Sequence, residues 1–400
     1  MGLSPEEPGP RLLQRLFDRF NAVVPFETAS KILRDAEVAP PEEKPRGPAL
    51  FWADHLGWGS GGTCFARVAA FGALVSSLGF SARKVLGRVE RDFDHAALLV
   101  AAQGEELLAD VGFPLPALLP MREAEAETPL MALATSRTER GFRVGFSGGV
   151  PDGPRGLEIF LAPVPEEEFA ERWRKTFRPD SRFLKQVSLR LQEEGRVLSF
   201  TRGELRVDDL HSRLRLPLAS PRPAALQEIF GTDRDHLARA LAIVGDPEPE
   251  ISDAMLTVYL ETDALPEKAF ATIASPAAYR GLMEGVAEVI GEEADGETWT
   301  VNLRAPRAEG APEAADARFS ERIVPDPAAR RLAVRRSYAD RAYDSSYAVE
   351  ERGGEIYLVR SVALTGPRQD LLRNDSARGR MAGTLAVDLL AWARRIGRRD

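Results

Sequence analysis

At 400 residues the chain exceeds the length at which one hydrophobic core usually keeps growing, so at least two domains are expected. Hydrophobic residues at 44% and charged residues at 28% are ordinary globular values, and no apolar run approaches the roughly 18 residues that span a bilayer, so no membrane partner is expected. A formal charge of -8, from 53 Lys plus Arg against 61 Asp plus Glu, offers no dominant basic field for a phosphate backbone and excludes nucleic acid as an expected partner.

Residues 1–10 carry Glu6 and Glu7 and lack a basic segment followed by an apolar run, a pattern that predicts no secretory signal and a cytoplasmic location. Leu12, Leu13, Leu16, Phe17, Phe20 and Val23 then recur at helical spacing until Pro25 stops the helix. Residues 39–48, rich in Pro, Glu and Lys, read as a surface loop. Aromatic residues and the glycines Gly57, Gly59, Gly61 and Gly62 follow, delivering the chain to Cys64. From Phe65 to Leu78 the pattern suits a buried helix that ends at Gly79, with Cys64 at its start. Segments 82–89, 95–102 and 105–111 read as a strand meander, with Gln103-Gly104 as a tight turn. Further strands are expected at 142–146, 157–162, 187–192, 196–201 and 204–209, and helices at 166–176, 223–229 and 234–244. The acidic, proline-bearing run 245–250 is the expected linker. Beyond it, a strand at 255–262 and a helix at 267–275 precede strands at 285–291, 297–303, 318–324, 332–338, 343–350 and 356–364. Residues 305–317 read as a mobile loop. A long helix over 369–396 places Leu371, Leu372, Met381, Leu385, Leu389, Leu390 and Trp392 on one side, ready to close the sheet.

One cysteine excludes an internal disulfide and any multi-cysteine metal site. A lone cysteine is more often a small buried hydrophobe than a nucleophile, so context decides its role. At a helix start, about half a positive charge and unpaired backbone N–H groups favour a thiolate. A nucleophilic thiol also needs a base, and the base needs a carboxylate to fix its tautomer. If Gln103-Gly104 closes a two-residue hairpin, Asp110 falls opposite Ala97, on the same face as His95 and one diagonal step away. Of the other histidines, His55 could also approach Cys64, whereas His211 and His236 suit a polar turn and a surface helix.

Val24-Pro25-Phe26-Glu27, Gly61-Gly62-Thr63-Cys64-Phe65, Leu78-Gly79-Phe80, Gly87-Arg88-Val89, His95 with Leu98-Leu99-Val100, and Asp110-Val111-Gly112-Phe113 occur in one order and spacing. In this respect residues 10–245 resemble arylamine N-acetyltransferases. The resemblance implies an α+β fold of three parts: a helical bundle over 1–80 carrying Cys64, an antiparallel β-barrel over 81–200 carrying His95 and Asp110, and an α/β lid over 201–245. It implies ping-pong transfer of an acetyl or other short acyl group from coenzyme A, through a Cys64 thioester, to an arylamine, hydrazine or similar small-molecule amine, with no permanently bound cofactor and no metal. Cys64, His95 and Asp110 would be the catalytic triad, and backbone near Gly62, Thr63 and Phe65 would support the oxyanion. The sequence departs from the family at Ser60, Thr63, Ala66, Val68 and Pro114. The charges missing at Ser60 and Ala66 are expected to remove a supporting ion pair. An amide synthase acting on carrier-bound intermediates, and a thiol hydrolase or binding protein with the same triad, remain open.

Residues 253–400, after a linker at 246–252, resemble in element order the helix-grip α+β domains of the START and polyketide cyclase superfamily. That likeness implies a cavity for a hydrophobic small molecule, with Tyr279, Trp299, Tyr338, Tyr347 and Trp392 as leading candidate liners and Phe270, Tyr343 and Tyr357 beside them.

Overall fold

The computed structural model describes residues 8–147, 155–193, 195–218, 220–283, 287–304, 318–338, 342–352, 354–364 and 375–397. These fall into two compact units, the second made of the described residues among 211–216 and from 252 onward, the first of the other described residues up to 251. The expected first domain ran unbroken to 245, so the placement of 211–216 is a difference from the sequence reading. The loop 305–317 and the helix residues Leu371 and Leu372 lie outside the described residues.

In the first unit, α1 (Pro10–Val23) buries Leu12, Leu13, Leu16, Phe17 and Phe20, the stripe its spacing predicts. A two-residue strand β1 (Phe26–Glu27) leads into α2 (Ala29–Glu37), and α3 (Pro48–Trp58) precedes α4 (Cys64–Ser77). Neither α2 nor α3 was expected from the sequence. α4 is buried on all sides over its first nine residues, which places it at the centre of the unit.

Eight antiparallel strands follow: β2 (Ser81–Arg88), β3 (Asp92–Ala102), β4 (Glu105–Ala109), β5 (Leu119–Pro120), β6 (Ala124–Glu127), β7 (Ala132–Arg137), β8 (Gly141–Ser147) and β9 (Gly156–Phe160). Their order is β5-β4-β3-β2-β9-β8-β7-β6, and β5 and β6 approach each other, so the sheet curls into a nearly closed barrel. Alternation along the strands decides what each face does. Val85, Ala97, Leu99 and Leu108 fill the barrel, whereas Leu86, Ala96, Leu98 and Val100 pack with the α4 core. After α5 (Glu166–Lys175), strands β10 (Ser188–Glu193), β11 (Arg196–Thr201) and β12 (Glu204–Asp208) form a meander to which β1 adds an edge.

In the second unit, β13 (Ser212–Pro217) pairs with β14 (Ala254–Thr262). In the first unit, α6 (Pro223–Phe230) and α7 (Arg234–Val244) are the last helices, and α7 packs on α2. The run expected to be a free linker is held in that unit: Arg222 forms ion pairs with Asp246 and Glu248, and the Glu250 N–H donates to Glu204 at 3.1 Å. A buried guanidinium recruits the acids that in isolation would resist packing.

From β14 the second unit continues through α8 (Pro266–Ile273), α9 (Pro276–Met283), β15 (Glu288–Asp295), β16 (Thr298–Arg304), β17 (Arg318–Asp326), β18 (Arg331–Ser337), β19 (Ala342–Arg352), β20 (Glu355–Leu364) and α10 (Asp375–Gly397). All its strand pairs are antiparallel, in the order β13-β14-β20-β19-β18-β17-β16-β15, and α10 packs against β14, β20, α8 and α9. Among the described residues, no helix is long and apolar enough to cross a membrane.

Candidate active site

Cys64 is the first residue of α4, and Thr63 is its N-cap, but the Thr63 side chain makes no capping hydrogen bond. The turn before it depends on glycine. A methyl on Gly61 would overlap the Pro25 carbonyl, because the turn is stitched to the segment 25–27. Gly61 N–H donates to Glu27 Oε1 at 3.2 Å, Gly62 N–H to the Pro25 carbonyl at 3.3 Å, and Glu27 N–H to the Gly62 carbonyl at 3.2 Å. The Gly62 amide is therefore engaged, which removes it from the expected set of oxyanion donors. Phe65 has its side chain in the core, against Phe169, so only its backbone can serve the site.

His95 lies on β3 just beyond a bulge, where the pairing with β2 shifts and Phe93 takes a φ of 64°. The Asp94 carboxylate accepts the N–H groups of Val89, Glu90 and Arg91 and so closes that end of the hairpin. At the other end, Gln103 and Gly104 both have positive φ, 51° and 86°, the requirement of a two-residue turn matched to strand twist. The resulting register pairs Leu98 with Ala109, so Asp110 arrives beside His95 as the spacing predicts. His95 Nε2 and Asp110 Oδ2 are 2.7 Å apart, and the two side chains are 2% and 0% exposed as residues. Asp110 Oδ1 accepts from Gly112 N–H at 3.0 Å and Phe113 N–H at 2.8 Å, which fixes the carboxylate. With Nε2 given to Asp110, the hydrogen bond between His95 and Cys64 falls to Nδ1. Burial alone would lower the His95 pKa, but the charge and hydrogen bond of Asp110, joined by Cys64, outweigh it and hold the imidazole up at about 10. The three groups thus form a hydrogen-bonded chain suited to a thiolate–imidazolium pair.

Two buried arginines that the sequence reading missed hold this arrangement. Arg67, one turn after Cys64, donates to the carbonyls of Val111 (2.6 Å) and Val24 and to Asn21 Oδ1 (2.8 Å), tying α4 to the Asp110 turn. Arg46 comes from the segment read as a surface loop, yet is 4% exposed. It bonds Asp54 at 2.9 Å, Ser60 at 3.0 Å, Ser30 at 2.8 Å and the Gly61 carbonyl, with Glu27 at 3.9 Å. The ion pair expected to be lost at Ser60 and Ala66 is thus restored from another element, with Ser60 accepting from the guanidinium rather than supplying one. The signal was faint: a single arginine in Pro45-Arg46-Gly47-Pro48 just before a helix start.

A third cation, Lys31 of α2, is also buried in this unit, against Thr176 and the Phe177 ring. His55 does not sit in the chain of bonds: its Nδ1 meets the Ser60 carbonyl at 2.7 Å and its ring edge packs on Trp52. His236 stacks on Trp58 and pairs with Asp233, and His211 lies in the bend before β13, as polar-turn and helix positions suggested.

In the second unit, Tyr279, Tyr347 and Trp392 come together, with ring centroids 6.0 to 6.2 Å apart, and Trp299 shares their buried cluster. Tyr338 lies apart from them, stacked on Phe319 at 5.3 Å and edged by Tyr343. Phe270 joins the Tyr279 cluster, whereas Tyr357 packs with Tyr259 in another.

The family profile described as N-acetyltransferase matches residues 11–212, half of the chain, including all three site residues. The chain belongs to the arylamine N-acetyltransferase family. Solved members share its fold over the first unit. The arylamine N-acetyltransferase from Mycobacterium smegmatis is 19% identical, with a TM-score of 0.52, covering 61% of this chain and 95% of that one. The Mycobacterium abscessus arylamine N-acetyltransferase is 23% identical, with a TM-score of 0.51, covering 60% of this chain and 92% of that one. The Mycobacterium marinum arylamine N-acetyltransferase, solved in complex with CoA, is 16% identical, with a TM-score of 0.49, covering 59% of this chain and 94% of that one. No curated protein matches the chain.

Proposed function

We propose that the first unit is an N-acyltransferase that carries an acetyl or other short acyl group from acetyl-CoA or another acyl-CoA, through a thioester on Cys64, to an arylamine or similar small amine. The observation that carries this reading is the bonded chain from Cys64 through His95 to Asp110 at the start of α4. In it the Cys64 thiolate attacks the donor carbonyl, and the coenzyme A thiolate leaves with the proton from His95. His95 then takes a proton from the incoming amine as it attacks the thioester, and the Cys64 thiolate departs. First-turn amides of α4 at Cys64 and Phe65, flanked by Thr63, are the donors proposed for the oxyanion. Asp110 keeps the imidazole in register, and Arg67 and Arg46 hold the backbone beneath it.

Intact-protein mass after incubation with acetyl-, propionyl- or malonyl-CoA tests the assignment. A gain of one acyl group that Cys64→Ala abolishes is the expected result and names the donor. No adduct with any coenzyme A ester, while iodoacetamide still alkylates Cys64 at neutral pH, would replace the reading by a carrier-bound donor or a hydrolase.

For residues 253–400 we propose a helix-grip domain that binds a hydrophobic small molecule among Tyr279, Trp299, Tyr347 and Trp392. The indole Nε1 atoms of Trp299 and Trp392 are buried without a hydrogen-bond partner, which favours an occupant able to accept from them. Native mass spectrometry of the full chain should show a co-purifying small molecule or uptake of a fluorescent apolar probe; neither would leave these residues as plain core.

A further inference from the structure

Arg190 of β10 stands directly opposite Phe26 of β1, so the two side chains share one face of the meander. On its other side Phe26 bridges to Gly62, two residues before Cys64. Neighbouring chains in such a row lie about 4.8 Å apart, which puts the Arg190 backbone about 10 Å from the turn that delivers the nucleophile. The guanidinium also comes within 5.8 Å of the centre of the Phe113 ring, and the Phe113 N–H is one of the two donors that fix the Asp110 carboxylate. Geometry thus ties Arg190 to both ends of the triad, through Phe26 to the Cys64 turn and through Phe113 to the Asp110 turn.

The surroundings are aromatic. Phe183 meets Phe26 edge-on at 5.8 Å, and Phe146 stacks on Phe113 at 5.5 Å. All four phenylalanines are only partly buried, so the strip keeps aromatic surface for a ligand. Among the described residues Arg190 makes no hydrogen bond or ion pair, and its Nε is buried without a partner. The next guanidinium along this face, Arg206, has Glu204 at 3.6 Å. Asp208 shares the face as well, but burial pushes its pKa up to about 7 against the pull of Arg190 and Arg206, so it offsets the two arginines only in part. A half-buried guanidinium without an anion costs free energy that a ligand can recover, and its planar fork matches a carboxylate through two parallel hydrogen bonds.

We propose that Arg190 is a specificity-determining residue that takes the carboxylate of an aromatic amine acceptor, with the ring of that acceptor on Phe26 and Phe113 and its amine toward Cys64. The inference rests on the acyl-transfer reading and names the acceptor within it: an amine of aminobenzoate type in preference to a neutral one. Arg190 takes no part in the bond changes. It holds the far end of the acceptor, so that the amine nitrogen meets the thioester carbonyl.

The full chain, loaded at Cys64 by the coenzyme A ester that gives the mass adduct, is offered 4-aminobenzoate and its neutral isostere 4-aminobenzamide. The wild type is expected to prefer the acid by about 10-fold or more in kcat/KM. Arg190→Met should lower that acid-to-amide ratio by about 10- to 100-fold, with Arg190→Lys between the two. A ratio that Arg190→Met leaves unchanged overturns the inference. If the ratio holds while Arg190→Met slows the loading of Cys64 itself, the anion site belongs to the acyl donor and the acceptor assignment is overturned. If no ester loads Cys64, the acyl-transfer reading fails on its own, and a second assay on the wild type decides the carboxylate site. In it benzoate must protect Cys64 from iodoacetamide at a lower concentration than benzamide does, and equal protection rejects the site. The same assay decides the matter should Arg190→Met not fold.

Discussion

His95 and Lys31 are buried titratable groups of the first unit with opposite shifts, and the signs make a stability test. The His95 pKa rises from 6.5 unfolded to about 10 folded, so its contribution is fully present below pH 6.5 and is lost as pH climbs through 10. The Lys31 pKa falls from 10.5 to about 7, so its burial costs stability below pH 7 and the cost fades as pH rises to 10.5. Between pH 7 and 10 the two slopes oppose each other. Asp110→Asn, which removes the charge that raises His95, should lose most stability relative to wild type near pH 6 and recover toward pH 10. Lys31→Met should show the reverse, its relative stability highest at pH 6. Urea unfolding at pH 6, 8 and 10 reads both, and parallel offsets in place of crossing trends would reject the coupling. At the same scale, Gly112 is required by close approach: a methyl there would stand 2.3 Å from the Ala96 carbonyl oxygen and 2.9 Å from Cys64 Cβ. Gly112→Ala should leave a folded protein whose acyl transfer is slower by about 100-fold, since a displacement near 1 Å at the reacting group has that effect. Wild-type turnover in a folded Gly112→Ala would show that the Cys64–His95 spacing tolerates the shift.

The hairpin of β3 and β4 is the element that turns sequence into a site, because its two-residue turn decides which face Asp110 occupies. Side-chain period in a strand is two, so one extra residue in the turn moves every later side chain to the other face. Inserting a glycine between Gln103 and Gly104 should therefore separate Asp110 from His95 and abolish transfer, and its signature would be a Cys64 that no longer alkylates quickly at neutral pH. Retained activity would mean that the slip is absorbed before Ala109. This hairpin was legible in the sequence because its turn, its β-rich flanks and its spacing agree, and α1, α4 and α7 were legible for the same reason of period and terminators. α2 and α3 were not. In α2 Ala29, Ile32, Leu33 and Ala36 do stand at helical spacing, but the helix is only nine residues long and buries Ser30 and Lys31 as well, so its short stripe is easily passed over. α3 packs mainly Phe51 and leaves Leu56 exposed, so its aromatic residues carry no helical period. Arg46 lies hidden in a segment that reads as a surface loop, because no local pattern announces a guanidinium that enters the core to meet partners 8 to 19 residues away in the chain: Asp54, Ser60 and Gly61 after it, Ser30 and Glu27 before it.

At the scale of the whole molecule the question is whether the two hydrophobic cores behave as separate cooperative units. The residues that bury Cys64 run from Leu12 through Trp173 in one cluster, and those that bury Trp392 run from Val258 through Ile396 in another. The second core has its own polar anchor: Glu321, 1% exposed, accepts from the Tyr279 hydroxyl at 2.7 Å and from Arg336 at 2.6 Å. The domain limits were hard to read from sequence because β13 is short and its alternation, Leu214 and Leu216 between arginines and Pro217, carries little signal without the ladder to β14 that gives it a place. Trp392 is fully buried on α10 among Tyr279 and Tyr347, so Trp392→Ala opens a large cavity in the second core and should destabilise it by about 3–5 kcal/mol. If the cores are independent, thermal unfolding followed by intrinsic fluorescence should show an early transition in Trp392→Ala while the rate of Cys64 alkylation keeps its wild-type value through that transition. Loss of fast alkylation at the same temperature as the early transition would instead show that the acyl-transfer site depends on the second core for its fold, and would make one cooperative unit of what the contacts divide into two.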